Sequence, residues 1–164
     1  MCWIRMNYVE VELHNRKLRV YASGIIHVKR CNRDEYYLKK DCPHKDGYKR
    51  LNLTYKNVIK TYSVHRIVGY AYHGLDIDNP KAEIDHINMI KNDNRVVNLR
   101  PSTRQKNSFN TNAKGYSWDE HAKKWKVQIC VNGKQMHLGY FKKEDEQLAS
   151  ECYQEAKRIH HIID

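Results

Sequence analysis

The rhythm of apolar and polar positions changes several times along this chain. Over residues 1–64 apolar side chains recur near every second position. VEVEL and LRVYASGIIHVKR both alternate, with Ser23-Gly24 as a turn, and predict short strands. CNRDEYYLKKDCPHKDG then reads as a polar connection. Leu51, Leu53 and Tyr55 alternate with polar neighbours before a turn near Lys56-Asn57, the pattern of a half-buried hairpin. At Val64 the period lengthens: Val64, Ile67, Val68 and Ala71 share one face of a short helix, followed by a loop from Gly74 to Pro80. The stretch EIDHINMIKNDNRVVNLRPSTRQKNSFN reads as strand, polar turn, strand and helix, with the Asn- and Asp-rich turn between Asn88 and Arg95.

The polar run NSFNTNAKG reads as a linker. Beyond it GYSWD, KKWKVQICVNG and KQMHLGYF predict three strands, the last two joined by an Asn132-Gly133 hairpin turn. Trp125, Val127, Ile129 and Val131 face one side of the middle strand, and Lys126, Gln128 and Cys130 the other. The final KKEDEQLASECYQEAKRIHH predicts a helix with an apolar stripe of Leu148, Ala149, Cys152, Tyr153 and Ala156. The expected fold class is α+β, in two parts: residues 1–110 and 111–164.

Charge narrows the partner class. A net charge of +11 on 164 residues is the electrostatic footprint of a nucleic-acid binder. No apolar run approaches the roughly 18 residues that span a bilayer. The opening MCWIRMNYVEVE carries acids and no apolar block, so neither a membrane association nor secretion is expected. Five cysteines, an odd number with no C-x-x-C pair, argue against a disulfide framework and a structural zinc site. Cys42-Pro43-His44, with Cys31 upstream, fits no common zinc spacing. Free thiols in a reducing intracellular compartment are the expectation.

Candidate chemistry gathers between residues 83 and 110. Asp85 and His86 lie on the first predicted strand, Asn98 heads the second, and Asn107 lies on the helix. An acid, an imidazole and an amide converging across a hairpin and a helix can form a metal-assisted hydrolytic site. Adjacent residues of a regular strand point to opposite faces, so Asp85 and His86 acting together require an irregular strand end. The run DHIN…NDNR…NLR…TRQKN closely resembles the HNH nuclease motif in its asparagine-ending form, as found in phage and intron-encoded homing endonucleases. That resemblance implies a ββα-metal core over residues 82–110, with N-terminal β-hairpins over residues 1–64. By resemblance, His86 is the general base, Asp85 and Asn107 hold Mg²⁺ or Mn²⁺, and Asn98 ties the loop and orients His86. Arg100 on the second strand, and Arg104 and Lys106 on the next turn, are candidate phosphate contacts. Asp93 and Asn94 read as turn formers. In the family a helix beginning with His-Arg precedes the motif, so His65 and Arg66 are candidate DNA contacts, although such a His also caps or packs. Two departures stand out: Asn107 occupies the position of the commoner second His, and Arg-Pro-Ser stands where many relatives carry an aromatic after the Arg. VYASGIIHVKR…YLKK…DGYKRLNL resembles the small repeat that often precedes such domains, which implies either DNA contact or a scaffold.

The last fifty residues resemble the Apetala-two/ethylene-response-factor DNA-binding domain, through KGYSWD…KKWKVQICVNGK…HLGYF and the helix carrying Ala149, Tyr153 and Ala156. By that likeness the open sheet face lies in the DNA major groove and presents Lys114, Ser117, Lys126, Gln128, Gln135 and His137. Gln pairs bidentately with adenine and Lys with guanine. For Trp118 and Trp125 core packing is the alternative, preferred for Trp125. The combined expectation is a metal-dependent endonuclease of the HNH homing type acting on double-stranded DNA. It would come from a mobile element of phage or virus and work in the host cytoplasm or nucleus, as a monomer or homodimer. The competing reading is a non-catalytic, sequence-specific DNA-binding regulator; an RNA-binding protein is weaker, because no stacking platform is legible.

Overall fold

The computed structural model describes residues 8–161. It is a mixed α and β structure of several small antiparallel sheets and few helices. The chain divides into two compact units between Asn107 and Ser108.

In the first unit the alternating N-terminal segments form β1 (Tyr8–Leu13), β2 (Arg16–Tyr21), β3 (Ile26–Lys29) and β4 (Tyr36–Leu38), a four-stranded antiparallel sheet in chain order. Leu18, Val20, Ile26 and Val28 are buried on its inner face. β5 (Cys42–Pro43), β6 (Lys49–Tyr55) and β7 (Val58–Ser63) make a second sheet, with Leu51 and Leu53 inward and Lys56-Asn57 at the turn in left-handed conformations. The stretch expected to be a polar connection therefore holds two strands, β4 and β5. Both are too short to show a period of two.

α1 (Val64–His73) buries Val64, Ile67 and Val68 against both sheets' core. Gly74 ends it at φ 66°, and its N–H and that of Leu75 both return to the Gly69 carbonyl. β8 (Glu83–His86) and β9 (Leu99–Ser102) pair antiparallel, Asp85 opposite Arg100 and His86 opposite Leu99. Ile84 and Leu99 are buried in the same core as α1, which fixes the hairpin to the helix. α2 (Arg104–Phe109) follows directly.

The second unit is β10 (Tyr116–Asp119), β11 (Lys124–Val131) and β12 (Lys134–Phe141), in that spatial order, with α3 (Glu146–His160). Val127 and Ile129 face Ala149, Tyr153 and Ala156 across a buried core. Trp125 packs against that core, its indole N–H donating to the Lys143 carbonyl, and Trp118 meets its ring edge-on. Leu148 departs from the expected stripe: it is exposed, because it sits one residue, about 100° of helix turn, from Ala149. NSFNTNAKG is also not a plain linker. Phe109 is buried and stacks on His161 at 3.9 Å, so the division falls within α2 rather than after Asn110.

Candidate active site

The hairpin β8–β9 buries two polar side chains side by side. Asp85 and His86 are 4% and 5% exposed, a cost tolerated only where each has partners. β8 stays paired with β9 through both residues, Asp85 opposite Arg100 and His86 opposite Leu99. Arg100 from β9 holds Asp85, its Nη2 donating to Oδ2 at 2.7 Å and its Nε at 3.1 Å. The His86 ring meets His65 of α1 at 5.2 Å and Tyr48 at 5.8 Å, and those two rings lie 4.9 Å apart.

His86 Nε2 lies 3.3 Å from Asn94 Oδ1. Asn94 is itself buried, and its Nδ2 donates to the Asn92 carbonyl, which leaves the amide oxygen turned to the imidazole. Burial lowers the His86 pKa below its ordinary value, opposed by the Asn94 bond and by Asp85, so the ring is neutral at pH 7. His65 is pushed further, to about 3, by burial and then by His86 and Arg66.

Asn98 closes the turn between the strands. It ends a 3-10 turn over Val96–Asn98, its Oδ1 accepts from the Asn88 N–H at 3.0 Å, and its Nδ2 donates to the Asp93 carbonyl at 2.8 Å. Asp93 accepts from Asn88 and Arg95 side chains. Lys91, on the same turn, reaches the Asp46 carbonyl at 3.0 Å and lies over the Tyr48 ring. The turn carrying His86 is thus tied to the loop before β6.

From α2, Asn107 Nδ2 donates to Glu83 Oε2 at 2.8 Å. Glu83 and Asp85 alternate on one face of β8. Glu83 and Asn107 line a depression of about 280 Å³ with Asp46, Tyr48, Arg50 and His65. Oxygen donors from a carboxylate and an amide suit a hard divalent cation, so Asp85 and Asn107 fit Mg²⁺ or Mn²⁺ chemically.

Residues 62–109 match the family model described as HNH endonuclease. A solved structure described as "DNA binding and cleavage by the HNH homing endonuclease I-HmuI" is similar over 88% of this chain and 87% of that one, with 23% sequence identity and a TM-score of 0.48. Comparison with curated proteins finds no match.

Most of the expected residues lie around this one hairpin and the helices packed on it. Arg100 pairs with Asp85 rather than standing open to a phosphate. Arg66 spends its guanidinium on the Ala82, Ile77 and Asn79 carbonyls, holding the loop before β8, because that loop has no strand partner for those oxygens. His65 is packed among rings and lines the depression. Arg104 is exposed on α2 and Lys106 half-buried. Asn94, read as a turn former, touches His86. Glu83 was legible from strand alternation with Asp85; Tyr48 had no local signal.

In the second unit Ser117 lies opposite Lys126, Gln128 opposite His137, and Cys130 opposite Gln135, all on the face away from α3. Lys114 precedes the sheet, its ammonium 6.0 Å from the Tyr116 ring centre.

Proposed function

We propose that the protein is a metal-dependent, site-directed endonuclease of the homing type that hydrolyses phosphodiester bonds in duplex DNA. The observation that carries this reading is the burial of Asp85 and His86 at adjacent positions of one hairpin, each held by its own partner, Arg100 on the carboxylate and Asn94 on the imidazole. His86, oriented by Asn94, takes the proton from the attacking water. Asp85 and Asn107 would hold the divalent cation, which when bound neutralises charge on the phosphate and eases departure of the 3′ oxygen. Arg100 keeps the Asp85 carboxylate aimed. Asn98 fixes the turn, and the packing of the half-buried His65 and Tyr48 rings against His86 limits its rotation. By family resemblance the core is a ββα-metal unit, and the products carry 5′ phosphate and 3′ hydroxyl ends.

The open face of the second unit would read bases. Ser117, Lys126, Gln128, Gln135 and His137 project from one sheet face with hydrogen-bonding groups of both kinds, and Lys114 adds charge at its edge. Arg104 and Lys106 would contact phosphates. The net charge of +11 favours such a polyanion. One catalytic His per chain predicts nicking by a monomer and double-strand cutting only through a homodimer.

The test is conversion of supercoiled plasmid by purified protein with Mg²⁺ or with EDTA, alongside His86→Ala. Metal-dependent open circles, lost in the variant while DNA binding persists, are expected. Tight duplex binding with no conversion across several plasmids and metals would favour the DNA-binding regulator instead.

A further inference from the structure

The proposed cation site needs Asn107 to present oxygen rather than nitrogen, and an asparagine does not decide this alone. The terminal torsion of Asn is broad and roughly two-fold, so its rotamer leaves both ends of the amide available. We infer that Glu83 makes the choice, acting as a positioning residue that turns the Asn107 oxygen toward the cation. This inference rests on the proposed function and deepens it.

Three observations carry it. Glu83 Oε2 accepts a hydrogen bond from Asn107 Nδ2 at 2.8 Å, and a carboxylate offers acceptors only, so the amide nitrogen and not the oxygen must face it. Glu83 stands two residues before Asp85 on a regular strand, so the group that orients one proposed ligand shares a face with the other. Glu83 and Asn107 line the same depression. The two ligands are thus held in parallel fashion. Arg100 grips one oxygen of Asp85 from β9, and Glu83 grips the nitrogen of Asn107 from β8. Partners of this kind fix ligand orientation in metal sites, and their removal weakens metal binding about 10-fold to 100-fold.

The experiment is a Mn²⁺ titration of the full chain without DNA, following free Mn²⁺ by electron paramagnetic resonance, with folding checked by circular dichroism. The parent is compared with Asn107→Ala, Glu83→Ala and Glu83→Gln. Glu83→Ala should weaken Mn²⁺ binding about 10-fold or more. Glu83→Gln should recover most of that loss, because its amide oxygen still accepts from Asn107 Nδ2. Should Glu83→Ala fail to fold, Glu83→Asp takes its place: it keeps the charge, loses the reach, and should also weaken binding. If Asn107→Ala loses Mn²⁺ but the Glu83 variants bind like the parent, the positioning role is overturned and the site stands. Glu83→Gln as weak as Glu83→Ala overturns positioning in favour of direct ligation or charge. A parent that binds no Mn²⁺, or an Asn107→Ala variant that binds as the parent does, overturns the site and this inference together.

Discussion

Gly69 on α1 offers a direct test of how the HNH hairpin is held. A Cβ added there would lie 2.5 Å from Ile84 Cγ1 and 2.7 Å from Ile84 Cδ1. Carbon atoms in favourable contact sit about 3.5–4.0 Å apart, so roughly an ångström of movement is required. Ile84 is β-branched and stiff, and it stands between Glu83 and Asp85, so the strain passes into β8 itself. Overpacking of this kind costs about 1–3 kcal/mol. Replacing a helical glycine by alanine returns about 1 kcal/mol. With about an ångström of overlap the cost falls at the upper end of that range, so Gly69→Ala should destabilise the chain by about 2 kcal/mol and reduce plasmid nicking by more than its loss of stability explains. Urea unfolding and the plasmid assay measure the two effects. Ile84→Ala removes the clashing atoms, so Gly69→Ala combined with Ile84→Ala should be less destabilised than the sum of the two singles, with a coupling of about 1 kcal/mol or more. A Gly69→Ala variant as stable and active as the parent, or strict additivity in the double variant, would refute the close packing of α1 on β8.

Stability should fall on the acid side through His65, whose folded pKa of about 3 lies below its ordinary 6.5. The unfolded chain binds the extra proton between those values, so stability is full above about pH 6.5 and declines by up to about 1.4 kcal/mol per pH unit as pH drops toward 3. His65→Phe should flatten that decline in urea midpoints measured between pH 7 and pH 5; an unchanged slope would count against a buried neutral ring. In the second unit Gly115→Ala should cost about 3 kcal/mol or more, because Gly115 has φ 71° and a Cβ would meet the Tyr153 ring at 2.0 Å; tryptophan fluorescence during unfolding reads this. Lys126→Ala and Gln128→Ala, on the face away from α3, should leave the unfolding midpoint unchanged and weaken duplex binding in a mobility-shift assay. Equal binding by both variants would remove that face from the DNA contact.

Local pattern carried a good deal of this protein, and where it failed the failures share one cause. Alternation located the strands that bury Leu18, Val20, Leu51 and Leu53, because one face of each sheet excludes water. The change of period at Val64 marked α1, and Lys56-Asn57 and Asn132-Gly133 marked their turns through left-handed backbone. The order strand, turn, strand, helix around Asp85, His86, Asn98 and Asn107 was legible for the same reason. β4 and β5 were too short for any periodicity to register.

Which side chain meets which was settled only when distant segments packed. Tyr48, His65 and His86 come from three separate stretches, and their ring contacts exist only in the folded core. Arg100 on Asp85, and Arg66 on three loop carbonyls, follow from cross-strand register and from backbone oxygens that needed donors. Asn94 on His86 and Glu83 on Asn107 likewise depend on the turn geometry and on where α2 starts. The sequence by itself determined which faces are apolar, where the chain turns and which functional groups are present. The tertiary structure decided their partners, because hydrogen bonds and desolvation act between atoms brought together across the chain, and a one-dimensional pattern carries no distance between them.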